Sequence, residues 1–410
     1  MLRFDPLADA LHDAPYDYYA RYRSIAPLHW GKPVNAGIEG GWYVLGEALT
    51  RTILADERFG RESHRSADPA LLPPELRELY HLVDHWVMFR DPPYHTALRA
   101  ALATTFSRDV LETMRERCRD IASAMTSQIA KRPTLELMND YAIPYVLTCL
   151  CLFVGIPVDD APWIRMWATP LAQALDVKRA SRVYEHAGEA ARALRSYVDA
   201  QLNRAAERDA STVIAQLGKA VALGSLPRQE AIDSIVLILV TGQETSRNLI
   251  CNGVLSLLHH REALTELARA PAEKSAAVVE ETLRFESPVH LAGRVVRVDV
   301  ECEGYRFCEG DSVVCCLAAA NRDPQAVTEP DRFDPTRPRI RHVSFGSGIH
   351  ACLGVGLARH EARAAFEALA PLLSRAQLLD ETPTWRRSVL FRSLETLHIG
   401  LSPANNLHIN

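Results

Sequence analysis

The stretch FGSGIHACLG, residues 345–354, combines a cysteine with an aromatic residue and three glycines. Glycine allows tight turns and lets the backbone approach a flat partner closely, and these glycines are Gly346, Gly348 and Gly354. A helical pattern, CLGVGLARHEARAAFEALAPLLS, follows directly. Because the start of a helix favours negative charge, the segment predicts that Cys352 acts as a thiolate.

Two interpretations of Cys352 remain open from this stretch alone. A lone thiolate lacks the additional cysteines or histidines that a zinc site requires. It suits the single protein ligand of a haem iron, and Phe345 offers an aromatic face nearby. The alternative is a buried cysteine in a glycine-rich turn that binds nothing.

The other cysteines indicate no disulfide framework. The chain has nine cysteines, an odd number, and most of them lie in apolar segments without a C-x-x-C pair. We expect all but Cys352 to be buried free thiols that pack as small hydrophobic residues. The N-terminus lacks the features of a signal peptide, and the apolar runs are short for a membrane span. These observations predict a cytoplasmic protein without a membrane anchor.

Composition and patterning predict one globular domain spanning residues 1–410. Of the 410 residues, 48% are hydrophobic and 24% are charged, and the net charge of -5 gives no indication of nucleic-acid binding. Helical patterns dominate, with short strands near residues 41–46 and after Pro288. The expected class is mainly α with a small β-rich part. Ser225 is the candidate N-cap of the longest helix.

Two motifs place charged or hydroxyl residues at helical spacing. In ETLR, Glu281 and Arg284 share one helical face, as an ordinary surface ion pair would. In TGQETS, residues 241–246, an acid followed by a hydroxyl residue interrupts a very apolar helix and could relay protons or hold water. A helix kink stabilised by hydroxyl side chains explains the second motif equally well.

A third group consists of hydrogen-bond donors. His95 and Arg99 are four residues apart and therefore share a helical face, and Arg294 and His350 could join them. Four such donors suit two carboxylates on a buried cofactor. Each residue alone could equally be solvated, or a polar residue of the core with its hydrogen bonds satisfied.

In this order, the segments resemble those of the cytochrome P450 family. FGSGIHACLG matches the family's haem-ligand signature in full, ETLR its ExxR helix, TGQETS its oxygen-binding kink and DPPYHTALR a propionate-binding segment. The stretch ANRDPQAVTEPDRFDPTRP resembles the sequence that the family places before its haem loop, and the similarity covers nearly the whole chain. The resemblance implies the P450 fold, with haem b buried between the long central helix and the cysteine loop.

The resemblance also implies a role for each site residue. Cys352 is the axial thiolate, and Phe345 shields its sulfur. The residues that bind the haem propionates are His95, Arg99, Arg294 and His350. The residues that form a structural lock behind the haem are Glu281, Arg284 and Arg332. The residues that line the oxygen site are Gly242, Glu244, Thr245 and Thr241, the last where the family usually has alanine or glycine.

The implied function is that of a haem-thiolate monooxygenase that uses O2 to oxidise a small, largely hydrophobic molecule, such as a natural-product intermediate. The segment His81–Phe89 would form the pocket entrance. The expected pocket residues are Val236, Leu239, Val240, Val289, His290, Leu291, Leu390 and Phe391. Of these, His290 could read a polar group of the substrate or be an ordinary core histidine.

Electrons would come from a ferredoxin or flavodoxin with its reductase, because the chain shows no flavin or nicotinamide motif. A basic patch would attract such an acidic partner, and its arginines are Arg337, Arg339, Arg341, Arg359 and Arg363. Two alternatives remain: a peroxide-driven haem-thiolate enzyme, and a non-catalytic haem-binding or docking protein. The intact pair of Glu244 and Thr245 argues against the first of them.

Overall fold

Helices dominate the part of the chain that the structure describes, as the sequence predicts. The computed structural model describes residues 3–33, 40–62, 72, 74–176 and 181–402. The helices before the central one are α1 (Asp9–Asp13), α2 (Pro15–Arg23), α3 (Glu47–Ala55), α4 (Pro74–Asp84), α5 (Tyr94–Ala103), α6 (Arg108–Ile129), α7 (Ile143–Val154), α8 (Ala161–Ala174), α9 (Ser181–Leu202) and α10 (Val213–Ala222). The remaining helices are α11 (Arg228–His259), α12 (Arg261–Arg269), α13 (Pro271–Phe285), α14 (Leu317–Ala320) and α15 (Val355–Leu373).

The strands form a small β-rich part, again as predicted. They are β1 (Leu28–Gly31), β2 (Gly41–Val44), β3 (Phe59–Gly60), β4 (Thr134–Glu136), β5 (Leu291–Val296), β6 (Val300–Cys302), β7 (Tyr305–Phe307), β8 (Ser312–Cys316), β9 (Ala376–Leu378) and β10 (His398–Leu401). One sheet has the order β1-β2-β8-β5-β3, a second has the order β4-β10-β9, and β6 pairs with β7. The sequence did not predict β4, which pairs with the distant β10.

Helix α11 is the central helix and has 32 residues. It is buried on nearly all sides because it packs against α7, α8, α9, α13 and α15, which explains its apolar sequence. The prediction that Ser225 caps this helix is wrong. The Ser225 hydroxyl donates to the carbonyl of Ala220 at 3.0 Å, so it satisfies the end of α10 instead.

Helix α15 follows the cysteine loop and packs against α6, α11 and α13. It meets α11 closely at Gly253, where an added Cβ would lie 2.3 Å from Cζ of Phe366. Only a glycine at this position therefore allows the two helices to pack as they do. This contact fixes the loop that precedes α15 relative to the central helix.

The cysteines are free, and seven of the nine are buried, as expected for small core residues. Cys308 departs from the expectation because it is exposed, in the turn between β7 and β8. None of the described helices is long and apolar enough to cross a membrane.

Candidate active site

The cysteine loop is a tight turn that closes on itself through backbone hydrogen bonds. The amide of Cys352 donates to the carbonyl of Phe345 at 2.9 Å. Gly346 and Gly348 both have φ near 70°, which favours glycine strongly. An added Cβ on Gly348 would also lie 2.6 Å from the carbonyl oxygen of Leu54. The glycines are thus required by the turn and by its close contact with α3.

The Cys352 side chain is accessible, although protein atoms closely surround its thiol. This burial raises the pKa of the thiol, while the amide of Gly354 and the Arg99 guanidinium oppose the shift. The helix start therefore does not by itself produce the thiolate that the sequence predicted. A coordinated metal ion would, because it deprotonates its thiol ligand outright.

Several buried nitrogen atoms near this loop lack hydrogen-bond partners. Both ring nitrogens of His95, which is 2% exposed, are unpaired, and so is Nε of Arg294. The His350 ring lies 4.5 Å from the His95 ring, and its Nε2 is 3.5 Å from Oδ1 of Asp91, too long for a good hydrogen bond. Burial, followed by the nearby His350 and Arg99, lowers the pKa of His95 to about 4. Four predicted donors are therefore brought together, and three of them are incompletely satisfied.

Arg99 is the fourth of these donors. Its Nη2 donates to the carbonyl of Ala351 at 2.6 Å, next to the ligand candidate Cys352. It thus links α5 to the cysteine loop. Burial lowers the pKa of Arg99 from its usual value without removing its charge in the physiological range.

Two residues of this cluster were missed by the sequence analysis. Asp91 accepts hydrogen bonds from the amides of Arg61 and Glu62, and Arg61 donates from its side chain to the carbonyls of Met88 and Gly293. These bonds connect the end of β3 and the middle of β5 to the segment that precedes α5. The signal in the sequence was slight: Asp91 opens the DPPYH segment, but Arg61 belongs to no recognised motif.

The oxygen-site motif lies in the middle of α11, where its hydroxyls bond back into the helix. Thr241 donates to the carbonyl of Leu237 at 2.8 Å, and Thr245 donates to that of Thr241 at 3.1 Å. A Cβ at Gly242 would lie 3.1 Å from Cδ1 of Leu150, so the glycine lets Leu150 pack closely against the helix. The hydroxyl of Thr241 therefore bonds back into the helix, as in the second explanation offered for this motif, a helix kink stabilised by hydroxyl side chains.

Glu244 is buried, and two arginines hold it. Its carboxylate lies 2.7 Å from Nη2 of Arg247 and 3.6 Å from Nη1 of Arg386. The Arg386 side chain is 36% exposed, so this ion pair reaches towards the surface of the protein. Glu244 and Thr245 are therefore neighbours in the chain with different environments, one ionic and one within the helix.

The predicted lock is present, but its third arginine differs from the expected one. Glu281 and Arg284 are fully buried and joined by two hydrogen bonds of 2.7 and 2.8 Å. The Arg332 side chain points elsewhere and pairs with Glu329 and Asp334, while its carbonyl accepts from Arg284 at 2.9 Å. Assigning the Arg332 side chain to the lock was therefore wrong.

Arg337 provides the side chain that Arg332 does not. Its Nε lies 3.3 Å from Oε1 of Glu281, and its other nitrogens donate to the carbonyls of Thr328 and Glu329. Arg337 is closer to the cysteine loop in sequence, and the turn at residues 334–336 folds it back towards Glu281. A guanidinium used in this way is not free to attract a partner protein.

The three pocket residues predicted on α11 face away from the oxygen site. At 100° per residue they lie about 120–180° around the helix axis from Thr245. Each is at most 1% exposed, and they are Val236, Leu239 and Val240. Leu237 and Ile238 lie closer to the face of Thr245, and their exposed fractions are 7% and 9%. Leu237 and Ile238 are therefore further candidates for the pocket.

His290 is a core histidine. Its Nδ1 lies 3.4 Å from the Tyr19 hydroxyl, and its ring packs beside Tyr16 and Tyr19 of α2. Burial holds its pKa well below the usual value, so the ring is neutral. Leu291 belongs to the same core cluster. The Nε2 atom of His290 has no hydrogen-bond partner, so His290 still offers a polar group to a ligand, whereas Leu291 packs in the core.

The other predicted pocket residues retain partial exposure. Val289 and Phe391 pair across an isolated β-bridge, and the carbonyl of Leu390 accepts from the amide of His290 at 2.8 Å. All three are only partly buried, so they remain candidates for contact with a ligand. Within the described ranges, no group of three or more His, Cys, Asp or Glu residues could hold a metal ion.

Comparison with known proteins agrees with this geometry. The family model described as Cytochrome P450 matches residues 275–375. The biotin biosynthesis cytochrome P450 of Bacillus subtilis (strain 168) is 30% identical over 94% of this chain and 95% of its own length. The vitamin D(3) 25-hydroxylase of Pseudonocardia autotrophica is 35% identical over 95% of this chain and 94% of its own.

A solved structure extends the similarity to three dimensions. The crystal structure of P450BioI in complex with hexadec-9Z-enoic acid ligated acyl carrier protein has a TM-score of 0.87 at 30% identity, covering 96% of this chain and 100% of that chain. Identity at this level over nearly the full length exceeds what a shared fold alone would give. The chain therefore belongs to the cytochrome P450 family of haem-thiolate proteins, and it is an oxidoreductase of the monooxygenase class.

Proposed function

We propose that this P450 uses O2 to hydroxylate or otherwise oxidise a small, largely hydrophobic organic molecule, such as an intermediate of natural-product biosynthesis. One observation carries the proposal: the accessible Cys352 thiol lies beside buried donors that lack partners. A planar cofactor with a metal centre and two carboxylates would satisfy both features at once. Haem b is such a cofactor.

The residues present fit the haem. Cys352 would supply the thiolate that binds its iron, held by the backbone of the glycine loop. His95, Arg294 and His350 would direct their unpaired nitrogens to the propionates, and Arg99 would add its charge. When bound, the haem supplies the oxygen-activating chemistry, and the protein orients it and controls access to it.

Glu244 and Thr245 are the residues that we propose deliver protons. The Thr245 hydroxyl could turn from the carbonyl of Thr241 towards a ligand of the bound haem, since that helix bond is weak and local. Glu244 connects through Arg386 towards the surface and can return protons from there. Leu237 and Ile238 would line the apolar side of the same space.

We also propose that electrons come from a ferredoxin or flavodoxin with its reductase, in the cytoplasm. Arg339 and Arg341 are exposed near the cysteine loop and would attract an acidic partner. Arg359 is bound to Glu280 at 2.6 Å, and Arg363 lies 3.9 Å from Glu367, so their charges are partly compensated. The attractive patch is thus smaller than the sequence indicates.

The first experiment is the CO difference spectrum of the reduced protein. We expect a thiolate-type band in the wild type, and its loss together with the activity in Cys352→Ser, because a hydroxyl does not replace the thiolate. Cys308→Ser is the matched control, since it removes the other exposed cysteine at a distant turn. A normal spectrum in Cys352→Ser, or a histidine-type band in the wild type, would contradict the proposed ligand.

A further inference from the structure

A buried carboxylate outside the oxygen site joins three parts of the fold. Asp233 of α11 is fully buried. It accepts from Nε and Nη2 of Arg195 at 2.7 and 2.8 Å, and it lies 2.8 Å from Nδ1 of His85. Gln229 donates to it at 3.1 Å. A buried carboxylate is costly unless it is paired in this way, so the contacts are held firmly.

The three partners come from separate elements. Arg195 lies on α9, Gln229 on α11, and His85 on the segment Asp84–Phe89 that follows the main body of α4; we call this the entrance segment. Asp233 therefore ties the entrance segment to the central helix across 148 positions of sequence. Nothing in the proposed chemistry uses this carboxylate.

The entrance segment runs from this contact to the cluster of buried donors. At its far end the carbonyl of Met88 accepts from Nε of Arg61 at 2.8 Å, and Arg61 also bonds to Gly293, next to Arg294. Asp233 itself lies twelve residues before Thr245, which is about 18 Å along the helix. The segment thus spans the space between one end of the central helix and the donors near the cysteine loop.

Of the contacts that Asp233 makes, the one with His85 is the contact that a change in protonation can weaken. The His85 side chain is 32% exposed, whereas Asp233 keeps its two bonds to Arg195 whatever the state of the histidine. The hydrogen bond that His85 donates to the Asp233 carboxylate is the main cause that raises the pKa of His85 above its usual value. The other charged groups around it are Asp84 on its own element and Arg195 on α9, with Glu78 of α4 3.8 Å from Arg195.

We propose that the contact between His85 and Asp233 keeps the entrance segment closed over the haem pocket and so selects ligands by size. Asp233 is a positioning residue in this arrangement, and His85 is its releasable partner. The inference rests on the proposed function, because it concerns access to the same pocket. Protonated His85 holds the segment tightly, and loss of its proton as pH rises through the raised pKa weakens the bond to a neutral one.

The test compares a bulky and a small neutral ligand of the reduced haem. Cyclohexyl isocyanide and CO bind the same iron, and neither titrates near neutral pH. In His85→Ala we expect cyclohexyl isocyanide to bind and leave about fivefold faster or more, since a charge-assisted bond is lost. CO should change less than twofold, because it is small enough to pass the closed segment.

The matched control is His259→Ala, which removes an exposed histidine at the C-terminal end of α11, outside the predicted entrance. This control variant should leave both rates unchanged. Isocyanide binding to the wild type should become faster as the pH rises, whereas binding to His85→Ala should not change with pH. His85→Ala is preferred to a change of Asp233 because Arg195 still neutralises the buried carboxylate, so folding is preserved.

Three results would overturn the inference. In the first, His85→Ala has a normal thiolate-type spectrum but the same isocyanide rates as the wild type. This result would leave the proposed function intact. Another is an equal change for CO and isocyanide, which would place the effect at the iron. The third is the same acceleration in His259→Ala. A wild type without a haem-thiolate spectrum would overturn this inference together with the proposed function.

Discussion

Two clusters of buried charged and polar side chains differ in how completely their donors are paired. In the lock, Arg284 is fully buried and its guanidinium bonds to Glu281 and to the carbonyls of Asn321, Pro330 and Arg332. In the cluster near the cysteine loop, His95 is equally buried, yet neither of its ring nitrogens has a partner. Both clusters lie beside the same cysteine loop.

The difference separates groups that stabilise the fold from groups that await a ligand. A buried donor without a partner costs free energy, and a bound haem would offset that cost for the donors around His95. The lock is complete within the chain and should matter to the protein with and without haem. The donors around His95 should matter to the haem-bound protein alone.

Breaking the lock should have the largest effect. Arg284→Leu leaves the carboxylate of Glu281 buried without its main partner, which should lower the free energy of unfolding by roughly 3–5 kcal/mol. Denaturant unfolding of the haem-free and haem-loaded proteins should show the loss in both. The control is Arg332→Ala, which should cost less than about 0.5 kcal/mol because its side chain is exposed. A larger effect of Arg332→Ala than of Arg337→Ala would contradict the assignment of the third arginine.

Removing an unpaired donor should separate haem affinity from fold stability. In His95→Ala, haem should be lost about 10- to 100-fold faster, as expected when a hydrogen bond to a carboxylate is removed. The unfolding free energy of the haem-free protein should fall much less than in Arg284→Leu, since the change removes packing against the His350 ring but leaves no buried charge unpaired. Haem transfer to an excess of apomyoglobin measures the first quantity and denaturant unfolding the second. Destabilisation of the haem-free protein on the scale of Arg284→Leu would erase the distinction between the clusters.

A third buried group, Glu361 of α15, sharpens the comparison because its charge is suppressed rather than paired. Its carboxyl accepts from the Ser246 hydroxyl at 2.6 Å, and burial raises its pKa from 4.5 to about 8. The folded protein therefore retains a proton that the unfolded chain releases, so stability falls as pH rises from about 4.5 to about 8.

Glu361→Gln should remove this pH dependence and keep the acceptor for Ser246. At pH 7 the variant should gain about 2–3 kcal/mol over the wild type, and near pH 4.5 the two should be close. Unfolding curves recorded across this pH range measure the difference directly. Parallel curves for the two proteins would mean that Glu361 is ionised in the folded state.

Local patterns predicted the parts of the fold that depend on neighbours in sequence. The apolar runs of α7 and α11 are buried helices, and the strands after Pro288 are present, because periodicity and turn residues act over a few positions. The glycine loop could be predicted for the same reason. Contacts between distant segments could not be predicted from the sequence. An example is β4, which pairs with β10 near the other end of the chain.

The errors in the site have one physical origin. Each arose where several similar side chains lay within reach and tertiary contacts chose between them. Arg337 rather than Arg332 meets Glu281, and Ser225 ends α10 rather than starting α11. Asp233 escaped notice altogether, because its partners His85 and Arg195 are remote in sequence. The rotation of α11, which favours Leu237 over Val236, is set by packing on all its sides.

The accessibility of the cysteines provides a way to measure what fraction of the protein has haem bound. Only Cys308 and Cys352 are exposed among the nine. Haem would cover Cys352 and leave Cys308 open, so a thiol-reactive label should attach twice to each empty chain and once to each loaded one. Mass spectrometry of labelled protein then reports occupancy in a mixed preparation without any absorbance standard. The same chemistry makes the turn after β7 a ready attachment point for a fluorophore or surface.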